Sequence, residues 1–247
     1  MSAGRDEQAP LVRVWDLPVR VGHWLMVLCF AGAWLSAESE RWHLLHITLG
    51  YTLAGLVAFR LVWGVVGSRP ARFASFVRGP RAVLAYLRGL VAGRPPHSTG
   101  HNPAGGWAIV GLLGLIAATT ALGWAAEAEW GGDWLGEAHE VAASALLGLV
   151  GLHLLGVVVG SLSHREHLVR AMLTGRKRGE PAEAAERPWR PLGVALLLAV
   201  VGFWAWQWRQ APVQPWQTDR AVQTAPGEPT TLARGPANDD DEDDEEH

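Results

Sequence analysis

Apolar residues run along this chain in five long blocks, set apart by polar or strongly charged stretches. A helix needs about 20 mostly apolar residues to cross the hydrocarbon core of a bilayer. The pattern predicts spans over about Val21–Leu35 (VGHWLMVLCFAGAWL), Leu44–Val66 (LLHITLGYTLAGLVAFRLVWGVV), Gly105–Trp124, Ala138–Leu162 and Leu192–Trp208. The first block, with arginines before it and small residues after it, has the outline of a secretory signal. It opens on Gly22-His23-Trp24, which a signal sequence has no use for. The expected class is an all-α membrane protein: a four-helix transmembrane bundle plus a fifth, C-terminal transmembrane helix.

Charge changes the picture by giving the spans a direction. The formal net charge is only −3, but it is strongly segregated. The stretch Gly67–His101 carries Arg69, Arg72, Arg78, Arg81, Arg88 and Arg94 and no acid. The stretch after the fourth block carries Arg165, Arg170, Arg176, Lys177, Arg178, Arg187 and Arg190. Between the third and fourth blocks stand Glu127, Glu129, Asp133 and Glu137, with no Lys or Arg. Basic loops stay in the cytoplasm, so the expected location is the bacterial inner membrane, with the N-terminus cytoplasmic and the C-terminus periplasmic. Tryptophans gather near the span ends (Trp24, Trp34, Trp42, Trp63, Trp107, Trp124, Trp204, Trp206, Trp208), where an aromatic belt belongs. The tail from Arg209 is rich in Pro, Gln and Thr and ends in NDDDEDDEEH. Such a segment can build no core and is expected to be disordered. A sharper expectation for Asp239–Glu246 is an electrostatic tether for a basic periplasmic partner.

Chemistry enters with the histidines, because ionisable groups at membrane depth are costly and usually functional. His23 opens the first span on the inner side. His46 and His139 open the second and fourth on the outer side, and His153 lies deeper in the fourth. His139 and His153 are 153 − 139 = 14 residues apart, which is close to four whole turns, so both point the same way about 21 Å apart along the helix axis. One metal ion cannot bridge that distance; two centres can, each completed from another helix. Depth pairs His46 with His139 and His23 with His153. His43, three residues before His46, is an alternative ligand on the same face. A lone histidine at a span end is ordinarily interfacial, but four that pair by depth ask for more.

The single cysteine, Cys29, excludes a disulfide framework within the chain, and there is no Cys-x-x-Cys-His for covalent haem attachment. Imidazole pairs with no cysteine and no carboxylate close to them in the span interior suit haem iron, whereas zinc would want four ligands. Gly50, Gly55, Gly148, Gly151 and Gly156 could leave flat space between helices. Arg60, near the inner end of the second span, either snorkels to the interface or pairs with a haem propionate at the inner level. His101 stands before Asn102 and Pro103, a helix-start signal.

The stretches VWDLPVRVGHWLM, HITLGYTLAGLVAFRLVWGVVGS, HNPAGGW, HEVAASALLGLVGLHLLGV and SHREHLVRAMLTGRKR resemble the bacterial cytochrome b561 family, which overlaps the cytochrome b subunit of nickel–iron hydrogenases. The resemblance covers roughly Val12–Arg178 and leaves out the fifth span and the tail. It implies a four-helix bundle holding two non-covalent haem b groups with bis-histidine ligation, and carries the ligands onto His23, His46, His139 and His153. It also implies electron passage across the membrane between the quinone pool and a partner redox protein. The expected organisation is a cytoplasmic N-terminus (1–20), a di-haem cytochrome b domain (21–178), a linker (179–191), the fifth helix (192–208) and the tail (209–247). Expected partners are membrane lipid, quinone or quinol and a periplasmic c-type cytochrome or other redox protein, with a homodimer left open and no nucleic acid. A superoxide or ferric oxidoreductase at the outer haem and a hydrogenase-type subunit are variants of this reading. A metal-ion transporter is a distant alternative, since the spans lack the carboxylates of a polar path.

Overall fold

Hydropathy sets the long helices, and capping side chains fix where two of them begin. In this computed structural model, residues 10–93, 100–164, 166–179, 181 and 184–210 are described. A short strand, β1 (Leu11–Arg13), leads to α1 (Leu17–Ser36). Asp16 caps α1: its Oδ1 accepts from the Val19 amide at 3.0 Å, and Pro18 sits in the first turn, where no amide hydrogen is needed. The helix therefore starts at Leu17 rather than at Val21, where the apolar run begins. A one-turn helix (Glu40–Trp42) enters α2 (His43–Val66). After another single turn (Arg69–Ala71) come α3 (Phe73–Phe76) and α4 (Pro80–Val91), neither of which the sequence pattern had suggested. In α5 (Pro103–Glu127) the cap is the expected one: Asn102 accepts from the Gly105 amide at 2.7 Å, with Pro103 in the first turn. Then follow α6 (Trp134–His164), α7 (Leu168–Thr174), β2 (Arg176–Arg178) and α8 (Arg190–Gln210).

Five of these, α1, α2, α5, α6 and α8, are long and apolar enough to cross a membrane. The close helix seams are α5 on α6, α1 on α2, and α2 on α5. Among the described residues there is no such close seam between α6 and either α1 or α2. The core forms where α1, α2 and α5 meet, around Leu25, Cys29, Leu49, Leu53, Leu56, Val57, Leu113 and Ile116, with Leu146 of α6 and Val200 of α8. Helix α8 packs against this core. Its Gly193 lies against Leu17, its Leu196 reaches Gly22, and the Trp204 indole donates to Thr52 Oγ1 at 2.8 Å. Three tryptophans expected in an aromatic belt thus have other work: Trp204 bonds Thr52, Trp63 is buried, and the Trp24 indole nitrogen is buried without a partner.

The segments before α1, after α6 and between α2 and α5 meet at one end of the bundle. Strands β1 and β2 pair antiparallel, Val12 opposite Lys177. Gly175, just before β2, has φ +77°, and its carbonyl accepts from the Val14 and Trp15 amides at 2.9 and 3.2 Å. A side chain there would be strained, and its Cβ would lie 2.6 Å from the Trp15 carbonyl oxygen. Arg20 donates to the carbonyls of Met172 and Leu173, tying α1 to the end of α7. The acidic tail Asp239–Glu246, with the tether expected of it, lies outside the described residues, as do Arg94, His97 and His247.

Candidate functional site

At the far end of the bundle from the β clasp, His46 and His139 face each other. Their ring centres are 6.0 Å apart and their planes nearly perpendicular, at 79°. His46 Nδ1 lies 2.8 Å from the Ala33 carbonyl oxygen on α1, and His139 Nδ1 lies 2.9 Å from the Thr119 carbonyl oxygen on α5. A carbonyl can only accept, so in both rings Nδ1 carries the proton and the Nε2 lone pair is free. Each ring is thus fixed by the other helix of its own hairpin, α1–α2 or α5–α6. That arrangement sets tautomer and orientation before any ligand arrives. Gly123 makes room for it, since a Cβ there would stand 2.8 Å from His139 Nδ1. His43 takes no part. It is exposed and pairs with Glu127 at 3.3 Å.

At the clasp end, His23 of α1 and His153 of α6 are electrostatic neighbours, and Trp24 meets the His23 ring edge-on at 5.4 Å between centres. Arg60 does not snorkel. It is buried, at 7% exposure, with its guanidinium 4.8 Å above the Phe73 ring and its Nη1 buried without a hydrogen-bond partner. Asp16, which also accepts from the Trp63 indole at 3.0 Å, is its counter-charge nearby. His101 lies between Trp15 and Phe76, with ring centres 4.4 and 4.6 Å away. Burial, and after it the charges of Arg60, His153, Lys177 and His23, hold its pKa down at about 3. Among the described residues, no three His, Cys, Asp or Glu side chains converge as a metal cluster.

A family model described as prokaryotic cytochrome b561 matches residues 14–175. The chain belongs to the prokaryotic cytochrome b561 family. It is accordingly a multi-pass membrane b-type cytochrome of electron transfer, a family that binds haem b. No curated protein and no solved structure matches the chain.

The residues of this cytochrome suit a haem. The 6.0 Å between the His46 and His139 ring centres brings two imidazoles from different helices together, and both would hold the iron of a haem b. Gly50, four residues after His46 and so on its face of α2, meets nothing within 4 Å of a built Cβ. Gly55, Gly148, Gly151 and Gly156 are exposed, with Gly55, Gly148 and Gly151 turned away from the histidines of their helices, so the flat space expected of them is not theirs to provide. The unpartnered Arg60 Nη1 suits an anionic carboxylate. Sequence reasoning missed Ala33, Thr119 and Gly123. The first two act through backbone carbonyls, which carry no residue signature, and Gly123 resembles any other span glycine.

Proposed function

We propose that this cytochrome holds two haem b groups, one between His46 and His139 and one between His23 and His153. It carries electrons across the membrane between the quinone pool and a redox protein, such as a c-type cytochrome, on the side of the acidic α5–α6 connection. The His46–His139 geometry carries this reading: two half-buried imidazoles stand 6.0 Å apart between ring centres, each with Nδ1 spent on a carbonyl, which leaves Nε2 as the ligating atom of each. Haem b, when bound, supplies a one-electron iron couple. The protein's part is positional. His46 with His139, and His23 with His153, would hold the iron through neutral imidazoles, and α6 spaces the two levels by about 21 Å along its axis. Arg60 places a buried positive charge at the inner level and would hold a propionate there. The charge pattern supports a cytoplasmic N-terminus, because the basic connections share one end of the bundle. It also gives the acidic tail a use as a periplasmic lure for a basic partner.

Purified full-length protein is expected to contain two haems by pyridine haemochrome assay. His139→Ala should remove the outer haem alone, and His153→Ala the inner alone. A folded preparation with no haem, or loss of both haems in each variant, would overturn the assignment.

A further inference from the structure

Two buried, unpartnered nitrogen atoms at the clasp end share a wall. The Arg60 guanidinium lies 4.8 Å from the Phe73 ring centre and 6.0 Å from that of Phe76. The His101 ring lies 4.6 Å from the same Phe76 ring. Arg60 Nη1 and His101 Nδ1 are both buried, and neither has a hydrogen-bond partner. Asp16 offsets part of the arginine's charge but does not fill this need. Its Oδ1 is taken by the Val19 amide and its Oδ2 by the Trp63 indole, each at 3.0 Å. An unpaired donor in a buried place is costly, and more so when charged. Two of them against one aromatic ring point to an anionic oxygen between them. His23 and His153 lie within electrostatic reach of His101, so this corner adjoins the inner histidine level.

We propose that His101 and Arg60 together hold one propionate carboxylate of the inner haem, an inference that rests on the di-haem reading. The two donors divide the task. Arg60 supplies the charge. His101, neutral at physiological pH because burial disfavours its protonated form, adds a hydrogen bond without setting a second cation beside the guanidinium. Trp15 and Phe76 clamp the imidazole from two sides and fix where its nitrogen points.

The test compares protohaem with protohaem dimethyl ester, whose carboxylates are masked. Both are bound to the full-length chain in detergent, in a His139→Ala background that leaves the inner site. The parent is expected to prefer the free acid. His101→Phe, which keeps an aromatic plate between Trp15 and Phe76, should cut that preference about tenfold, the scale of one hydrogen bond to a charged group. Arg60→Gln should cut it at least as far, and His101→Gln, which keeps an N–H donor, should retain most of it. The ratio cancels any general loss of packing, because both haems enter the same fold. His101→Leu serves if His101→Phe does not fold. Equal binding of acid and ester by the parent would assign the donors to some other anion and overturn the proposal, as would an unchanged preference in His101→Phe. Failure of the background protein to bind either haem would overturn the di-haem reading itself.

Discussion

One missing methyl group decides whether His139 can reach its carbonyl. A Cβ at position 123 would lie 2.8 Å from Nδ1 and 2.9 Å from Cε1 of that ring, too close for the bond to Thr119 to survive unshifted. Alanine is favoured over glycine inside a helix by about 1 kcal/mol. Gly123→Ala is therefore expected to preserve helix content by circular dichroism and still lower haem per protein at the His46–His139 level. The neighbouring histidine gives the contrast. His43→Ala breaks an exposed ion pair of the kind that contributes little, and should leave the haem content unchanged. Full haem in Gly123→Ala, or haem loss in His43→Ala, would mean that the wrong nitrogens have been singled out.

Among the elements, α1 depends most on a single side chain outside it. Asp16 caps its first turn and also holds Trp63 of α2, so one carboxylate fixes where two helices stand relative to each other. Losing a cap of this kind costs about 0.5–2 kcal/mol, and leaving a buried indole donor unpaired adds about 1–3 kcal/mol. Asp16→Ala should therefore lower the thermal midpoint of the purified protein clearly, while Asp16→Asn, which keeps an acceptor, should lose less. Comparable midpoints for Asp16→Ala and the parent would show that the rest of the clasp end suffices. That clasp was not readable in advance. Strands β1 and β2 are three residues each and pair across almost the whole bundle domain, and no local pattern announces such a partnership.

Across the whole molecule, the spans were legible because length and hydropathy alone decide them. The meeting of His46 and His139 was legible because helical periodicity turns sequence spacing into depth. The packing of His101 was not. Its cap signal belongs to its own helix, whereas Trp15 and Phe76 come from elsewhere in the chain. The direction of insertion can be read directly, because the one native cysteine, Cys29, is fully buried and gives little background to a thiol reagent. Cysteine placed at Arg88 should be labelled by an impermeant reagent only from the cytoplasm, and cysteine at Glu129 only from the periplasm. The reverse result would invert the proposed topology.

The lack of a close seam between α6 and either α1 or α2 has a consequence for biogenesis. Helix α6 is fastened along α5, like a door on one hinge, yet it carries half of each histidine pair. A ring system too wide to thread through a finished bundle can slip in sideways from the lipid. On the di-haem reading proposed above, translation and cofactor supply need not keep step: the polypeptide can be inserted first and furnished later, with each haem then bridging α6 to its partner helix.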